Sequence, residues 1–173
     1  MFPRVTFIVG GAASGKSAWA EEFVESSEKS KMYLATSQVL DGEMRAKVDA
    51  HTARRDQSWA LIEAQMDLGP PLSGLKTGQI CLLDCATMWL SNHLLADSDL
   101  GVAQSALLAA IKNCPADLVI VSNEVGQGIV PENALARQFR EAQGRLNITL
   151  AARAELEVQV TVGLPLVLKG TLP

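Results

Sequence analysis

The segment Gly10-Gly11-Ala12-Ala13-Ser14-Gly15-Lys16-Ser17 follows directly on the apolar run Thr6-Phe7-Ile8-Val9. It matches G-x-x-x-x-G-K-[ST]. In that context a buried strand ends, a glycine-rich turn exposes its backbone N–H groups, and a helix begins. The amides and the positive end of the helix dipole converge on one point, where a polyphosphate can sit. Lys16 would reach the β- and γ-phosphates, and the Ser17 hydroxyl would ligate Mg²⁺. Gly10 and Gly15 stand where a Cβ would block the turn or the phosphate. Beyond the loop, Ala20, Phe23 and Val24 fall at helical spacing, which leaves Glu21, Glu22 and Glu25 to solvent.

The rest of the chain alternates strand-like and helix-like segments. Strands are expected at Val5–Val9, Lys31–Thr36, Ile80–Cys85 and Leu118–Val121, with Val158, Val160 and Val162 alternating in a last strand before Gly163-Leu164-Pro165. Helices are expected from Ser14 to about Ser26, from Asp41 (with Met44 and Val48 on one face), from Met88 (with Leu90, His93 and Leu94), over Val102–Lys112, and from Pro131 through Leu135, Phe139 and Ala142. Gly69–Gly74 and Asp97–Gly101 read as loops. Continuous apolar strands separated by amphipathic helices specify an α/β fold, a mostly parallel sheet covered on both faces. Such sheets bind ligands at the carboxyl ends of their strands. The 173 residues form one expected domain, 1–173, with no repeats or linkers.

Hydrophobic residues make up 48% of the chain and charged ones 20%, an ordinary globular balance. The net charge of −4 and the lack of any Lys/Arg block argue against a nucleic-acid partner. Cys81, Cys85 and Cys114 form no C-x-x-C pair and read as small core residues in a reducing compartment. No run approaches a membrane span, and the N-terminal apolar stretch is too short for a secretory signal. A cytoplasmic location is expected.

Three further constellations carry chemistry. Ile80-Cys81-Leu82-Leu83-Asp84 is an apolar strand ending in a carboxylate, so Asp84 would hold Mg²⁺ opposite Ser17. Asn123 and Glu124 follow the Leu118–Val121 strand and lead into Gly126, Gly128 and Pro131, a pattern suited to a lid or substrate loop as well as to a plain polar turn. His51-Thr52-Ala53-Arg54-Arg55 sets an imidazole beside two guanidinium groups. That is either a phosphorus nucleophile with its charge-neutralising partners or an ordinary solvated helix face. His93, on an apolar helix face, reads as packed.

Taken together, several blocks resemble a known family. They are Gly10–Ser17; Ala35-Thr36-Ser37-Gln38 with Asp41-Gly42-Glu43-Met44; His51, Arg55, Trp59 and Glu63 at four-residue steps; Leu82-Leu83-Asp84-Cys85 with Trp89-Leu90-Ser91-Asn92; Asn123 to Asn133; Leu135-Ala136-Arg137; Phe139-Arg140; Gly144-Arg145-Leu146-Asn147; and Gly163-Leu164-Pro165-Leu166. In this order they resemble the bifunctional adenosylcobinamide kinase/adenosylcobinamide-phosphate guanylyltransferases of cobalamin biosynthesis, over nearly the whole chain. The resemblance implies a RecA-like P-loop domain assembled as a homotrimer. It implies phosphorylation of adenosylcobinamide by ATP or GTP, then transfer of GMP from GTP through a guanylylated histidine, with release of pyrophosphate. The implied catalytic residues are His51, Lys16 and Arg55. The implied nucleotide site is Gly10, Gly11, Ala12, Ala13, Ser14, Gly15, Lys16, Ser17, Thr36, Ser37, Glu63, Asp84, Asn123 and Glu124, with Mg²⁺ on Ser17 and Asp84. Two positions depart from the family pattern: Ile148 stands where glutamine is usual, and the acidic residues of Ala154-Glu155-Leu156-Glu157-Val158 are displaced. Two other readings remain: a P-loop kinase of another small molecule with a structural His51, and a RecA-like module of DNA transactions, which the acidic composition disfavours.

Overall fold

The computed structural model describes residues 2–37 and 58–173. The expected Asp41 helix, His51, Arg54 and Arg55 lie outside the described residues. Seven strands form one sheet: β1 (Val5–Gly10), β2 (Ser30–Ala35), β3 (Trp59–Glu63), β4 (Gln79–Asp84), β5 (Asp117–Asn123), β6 (Leu156–Thr161) and β7 (Leu164–Lys169). Their order across the sheet is β3-β2-β4-β5-β1-β6-β7. Every pairing is parallel except the last, where β7 returns antiparallel to β6. The helices are α1 (Lys16–Glu25), the one-turn α2 (Gly69–Ser73), α3 (Ala86–Leu95), α4 (Leu100–Asn113) and α5 (Ala134–Arg153).

Strand periodicity explains why the central runs are apolar at every position. Phe7, Val9, Cys81, Leu83, Leu118 and Ile120 point to one face, where they pack with Leu72 of α2, Trp89 and Leu90 of α3, Leu107 and Ile111 of α4, and Leu146 and Leu150 of α5. Ile8, Ile80, Leu82, Val119 and Val121 point to the other, against Ala20, Phe23 and Val24 of α1. A strand buried on both sides favours apolar residues at successive positions rather than at alternate ones. Each fully buried Val, Leu, Ile or Phe here contributes about 1.5–3 kcal/mol.

Four local expectations change. Glu21 is buried, not solvated, because the packed arc of α1 includes the position between Ala20 and Phe23. Pro131 does not start a helix; α5 begins at Ala134, with the Asn133 side chain accepting from Ala136 N at 3.1 Å as its cap. Val162 is not in the last strand. It has φ 49° and Gly163 has φ 79°, so the pair forms a tight turn that sends the chain back as β7. Gly69–Gly74 is not all loop: Gly69–Ser73 winds into the one-turn α2, whose early prolines are tolerated because the first turn has no intrahelical use for their missing N–H.

Candidate active site

The glycine-rich loop joins β1 to α1. Gly15 takes φ 90° as the residue before the helix, and Ser14 N donates to Gly11 O at 3.2 Å, closing the turn. A Cβ on Gly10 would lie 2.5 Å from Ser14 Oγ and 2.6 Å from Val160 O, so the first glycine is imposed by packing as well as by the turn. The β6–β7 turn braces the loop from outside, with Gly163 N donating to Ser14 O at 2.7 Å. Lys16 is 9% exposed and donates from Nζ to Gly11 O at 3.0 Å. Burial pushes its ammonium below the ordinary value, while the nearby Cys85 and Asp84 oppose the shift. Ser17, one residue on, is partly exposed at the helix start.

Parallel pairing aligns the remaining strand ends with this loop. Ala35 is level with both Glu63 and Asp84, and Gly10 is level with Asn123. Asp84 is partly exposed, and Tyr33 Oη donates to its Oδ2 at 2.6 Å. The carboxylate is therefore oriented, and it stands close enough to Lys16 to act on its charge. A hydroxyl and a carboxylate are hard oxygen donors of the kind Mg²⁺ takes when phosphates supply the other ligands. Among the described residues no group of three or more His, Cys, Asp or Glu could hold a metal without such help.

Thr36 is fully buried. Its hydroxyl donates to Cys85 O at 2.7 Å and accepts from Cys85 N at 2.9 Å, so it clamps the tip of β4. Ser37 is partly exposed just beyond it, and Glu63 is exposed at the end of β3. Burial raises the Cys85 thiol to about 12, so it stays protonated at neutral pH. His93 stacks edge-on against Trp89 at 4.6 Å, with Nε2 3.3 Å from Met66 O, as a packed histidine should.

At the tip of β5, Glu124 N donates to Gly10 O at 2.9 Å, and the Glu124 carboxylate accepts from Gly126 N. Arg140 of α5 donates to the Gly126 and Gly128 carbonyls and Arg137 to Pro131 O, so two arginines strap the Gly126–Pro131 loop to the helix. A cleft of about 360 Å³ opens between this loop, Gly11 to Ser14, and Gln159 and Thr161 of β6. Tyr33, Thr87, Gln143, Asn147 and the β6–β7 turn were not singled out as site residues in the sequence. Their partners are distant along the chain, and only Asn147 and Gly163 of the turn stand inside recognisable motifs.

The family model of cobinamide kinase / cobinamide phosphate guanyltransferase matches residues 6–168. The chain belongs to this family. It is 39% identical over 166 residues to the bifunctional adenosylcobalamin biosynthesis protein CobP of Pseudomonas aeruginosa, covering 94% of this chain and 96% of the relative. It is 38% identical over 163 residues to the bifunctional adenosylcobalamin biosynthesis protein CobU of Escherichia coli K12, covering 85% of this chain and 90% of the relative. Among solved structures, a prototypical ATPase from the type III secretion system of pathogenic bacteria superposes with a TM-score of 0.55 at 11% identity, over 94% of this chain and 56% of that one. That likeness shows the fold alone, a RecA-like P-loop fold. The chain is thus a transferase of cobalamin biosynthesis with both cobinamide kinase and cobinamide phosphate guanyltransferase activities. Among the described residues no helix is long and apolar enough to cross a membrane.

Proposed function

We propose that this chain, as a single domain over residues 1–173, uses its phosphate loop in two successive reactions. In the first, ATP or GTP gives its γ-phosphoryl group to the aminopropanol hydroxyl of adenosylcobinamide. Lys16 and the loop amides bear the charge that develops on the transferred group. In the second, an imidazole nitrogen of His51 attacks the α-phosphorus of GTP. An N–P bond forms, the bond from the α-phosphorus to the bridging oxygen breaks, and pyrophosphate leaves in the grip of the same loop. The phosphate of adenosylcobinamide phosphate then attacks the phosphoramidate. The P–N bond breaks, and adenosyl-GDP-cobinamide is released with a free imidazole. Arg55 balances charge during the transfer. Ser17 and Asp84 would hold Mg²⁺, which screens the phosphate charges. Thr36, Ser37, Glu63, Asn123 and Glu124 complete the nucleotide site, the clamped Thr36 through its place in the row.

The observation that carries this reading is the convergence of Lys16, Ser17 and Asp84 at one strand-end edge, with Asp84 near enough to act on the Lys16 charge. The enzyme works in the cytoplasm on small molecules, without nucleic acid, as a homotrimer. The exposed apolar edge strand β7 supports self-association.

Incubation with GTP labelled at the α-phosphorus tests the proposal. Acid-labile, base-stable label is expected on the protein and is lost in His51→Ala, which keeps the kinase step. A His51→Ala enzyme that still makes the GDP-linked corrinoid would refute the covalent route and leave a kinase with a structural histidine.

A further inference from the structure

At the tip of β5 a set of buried side chains closes a hydrogen-bonded ring on one residue. Asn123 N donates to Thr87 Oγ1 at 2.8 Å. Thr87 Oγ1 lies 3.4 Å from Ser122 Oγ, which donates to Asn147 Oδ1 at 2.7 Å. Asn147 Nδ2 donates to the carbonyl of Asn123 at 3.0 Å. A hydroxyl has one proton, and Ser122 gives its own to Asn147; Thr87 must therefore be the donor to Ser122. The ring runs in one direction, leaving the N–H of Asn123 and returning to its C=O, so each link polarises the next.

The ring sits where a fold could have used apolar packing. Ser122 and Gln143 are fully buried, Thr87 is 6% exposed and Asn147 9%. Gln143 fixes the direction by donating to Ser122 Oγ at 2.9 Å and to Asn147 Oδ1 at 2.8 Å, yet its own Oε1 is buried with no hydrogen-bond partner among the described residues. A buried network with an unsatisfied oxygen is less stable than an apolar core of the same shape. Stability alone does not account for it; location does. The ring holds the C=O of the Asn123–Glu124 peptide, and the N–H of that peptide donates to Gly10 O, the first residue of the phosphate loop.

We propose that Thr87, Ser122, Gln143 and Asn147 are positioning residues. They lock the Asn123–Glu124 peptide in register with the phosphate loop, so that these two side chains meet the reacting phosphates in one fixed geometry. The inference rests on the reading that Asn123 and Glu124 belong to the active site.

Thr87→Val keeps the shape of the side chain and removes both ring bonds; Thr87→Ser restores them. Asn147→Asp keeps the acceptor and removes the donor to Asn123. In steady-state assays of both steps, Thr87→Val and Asn147→Asp are expected to lower kcat about 10- to 100-fold, the range for loss of supporting hydrogen bonds and small misplacements. The nucleotide KM should stay within about threefold, because Lys16 and the loop amides are untouched. Thr87→Ser should return kcat to within about threefold of the parent. A folded Thr87→Val enzyme with parental kcat, or a loss that Thr87→Ser fails to repair, overturns the proposal even if Asn147→Asp does not fold. Asn123→Ala and Glu124→Gln separate the two levels. If they leave kcat unchanged, the site assignment fails and the ring proposal with it. If they lower kcat while Thr87→Val does not, the ring proposal fails alone.

Discussion

At Lys16, burial and substrate pull one ammonium in opposite directions. In the free protein burial holds its pKa below 10.5. Bound phosphates are anionic neighbours, so they favour the charged form and raise it again. The sign of the consequence follows. The free enzyme loses the Lys16 proton at a lower pH than the nucleotide complex does. Profiles of kcat/KM for the nucleotide, which report the free enzyme, should fall on the alkaline side before profiles of kcat, which report the complex. Measurement of both between about pH 7 and 11 checks this, and coincident alkaline limbs would contradict it. The role of Lys16 was legible because the motif is local. Tyr33, which orients Asp84, was not: the pair is 51 residues apart, and only the pairing of β2 with β4 brings them together.

The phosphate loop is not self-supporting at the scale of elements; it is held between α1 and the β6–β7 turn. A Cβ on Gly15 would lie 2.9 Å from Gly163 Cα, at a backbone φ of 90° that L side chains rarely adopt. Gly11 has nothing within 4 Å of its Cβ position among the described residues. These two glycines of the motif should therefore behave differently. Gly15→Ala is expected to cost about 1–2 kcal/mol from backbone strain alone, which lowers Tm by several degrees, and to weaken nucleotide binding at least about tenfold. Gly11→Ala should leave Tm within about 2 °C of the parent. Thermal unfolding with and without nucleotide reads both. Equal tolerance at the two positions would mean that the turn does not brace the loop. The strands β1, β4 and β5 could be read from the sequence because two-sided burial demands unbroken apolar runs. β3 could not: its Trp-Ala-Leu-Ile-Glu run lies at the sheet edge, only partly buried. β7 was hidden by Pro165, which reads as a break yet is tolerated on an edge strand.

For the whole molecule, the feature most at odds with an isolated chain is β7. All six of its residues are exposed, and Leu164, Leu166 and Leu168, on one face, are 69%, 59% and 50% exposed. An apolar strand with a free edge invites pairing with another chain. If it contributes to the proposed trimer, the double variant Leu166→Lys, Leu168→Lys should sediment as a folded monomer, whereas the parent sediments at three times the chain mass. A parent that is itself monomeric, or a trimer indifferent to these charges, would remove β7 from the interface. By itself the sequence determined the phosphate loop, the two-sided parallel sheet and the carboxylate at the end of β4. These follow from contiguous residues, from the geometry of a glycine turn and from burial on both faces of a strand. The tertiary structure alone decided what holds them in place: the Tyr33–Asp84 bond, the turn at Val162-Gly163 against Ser14, and the ring that closes on Asn123. Each depends on residues far apart in the chain whose meeting is set by strand order and helix packing, to which no local periodicity responds.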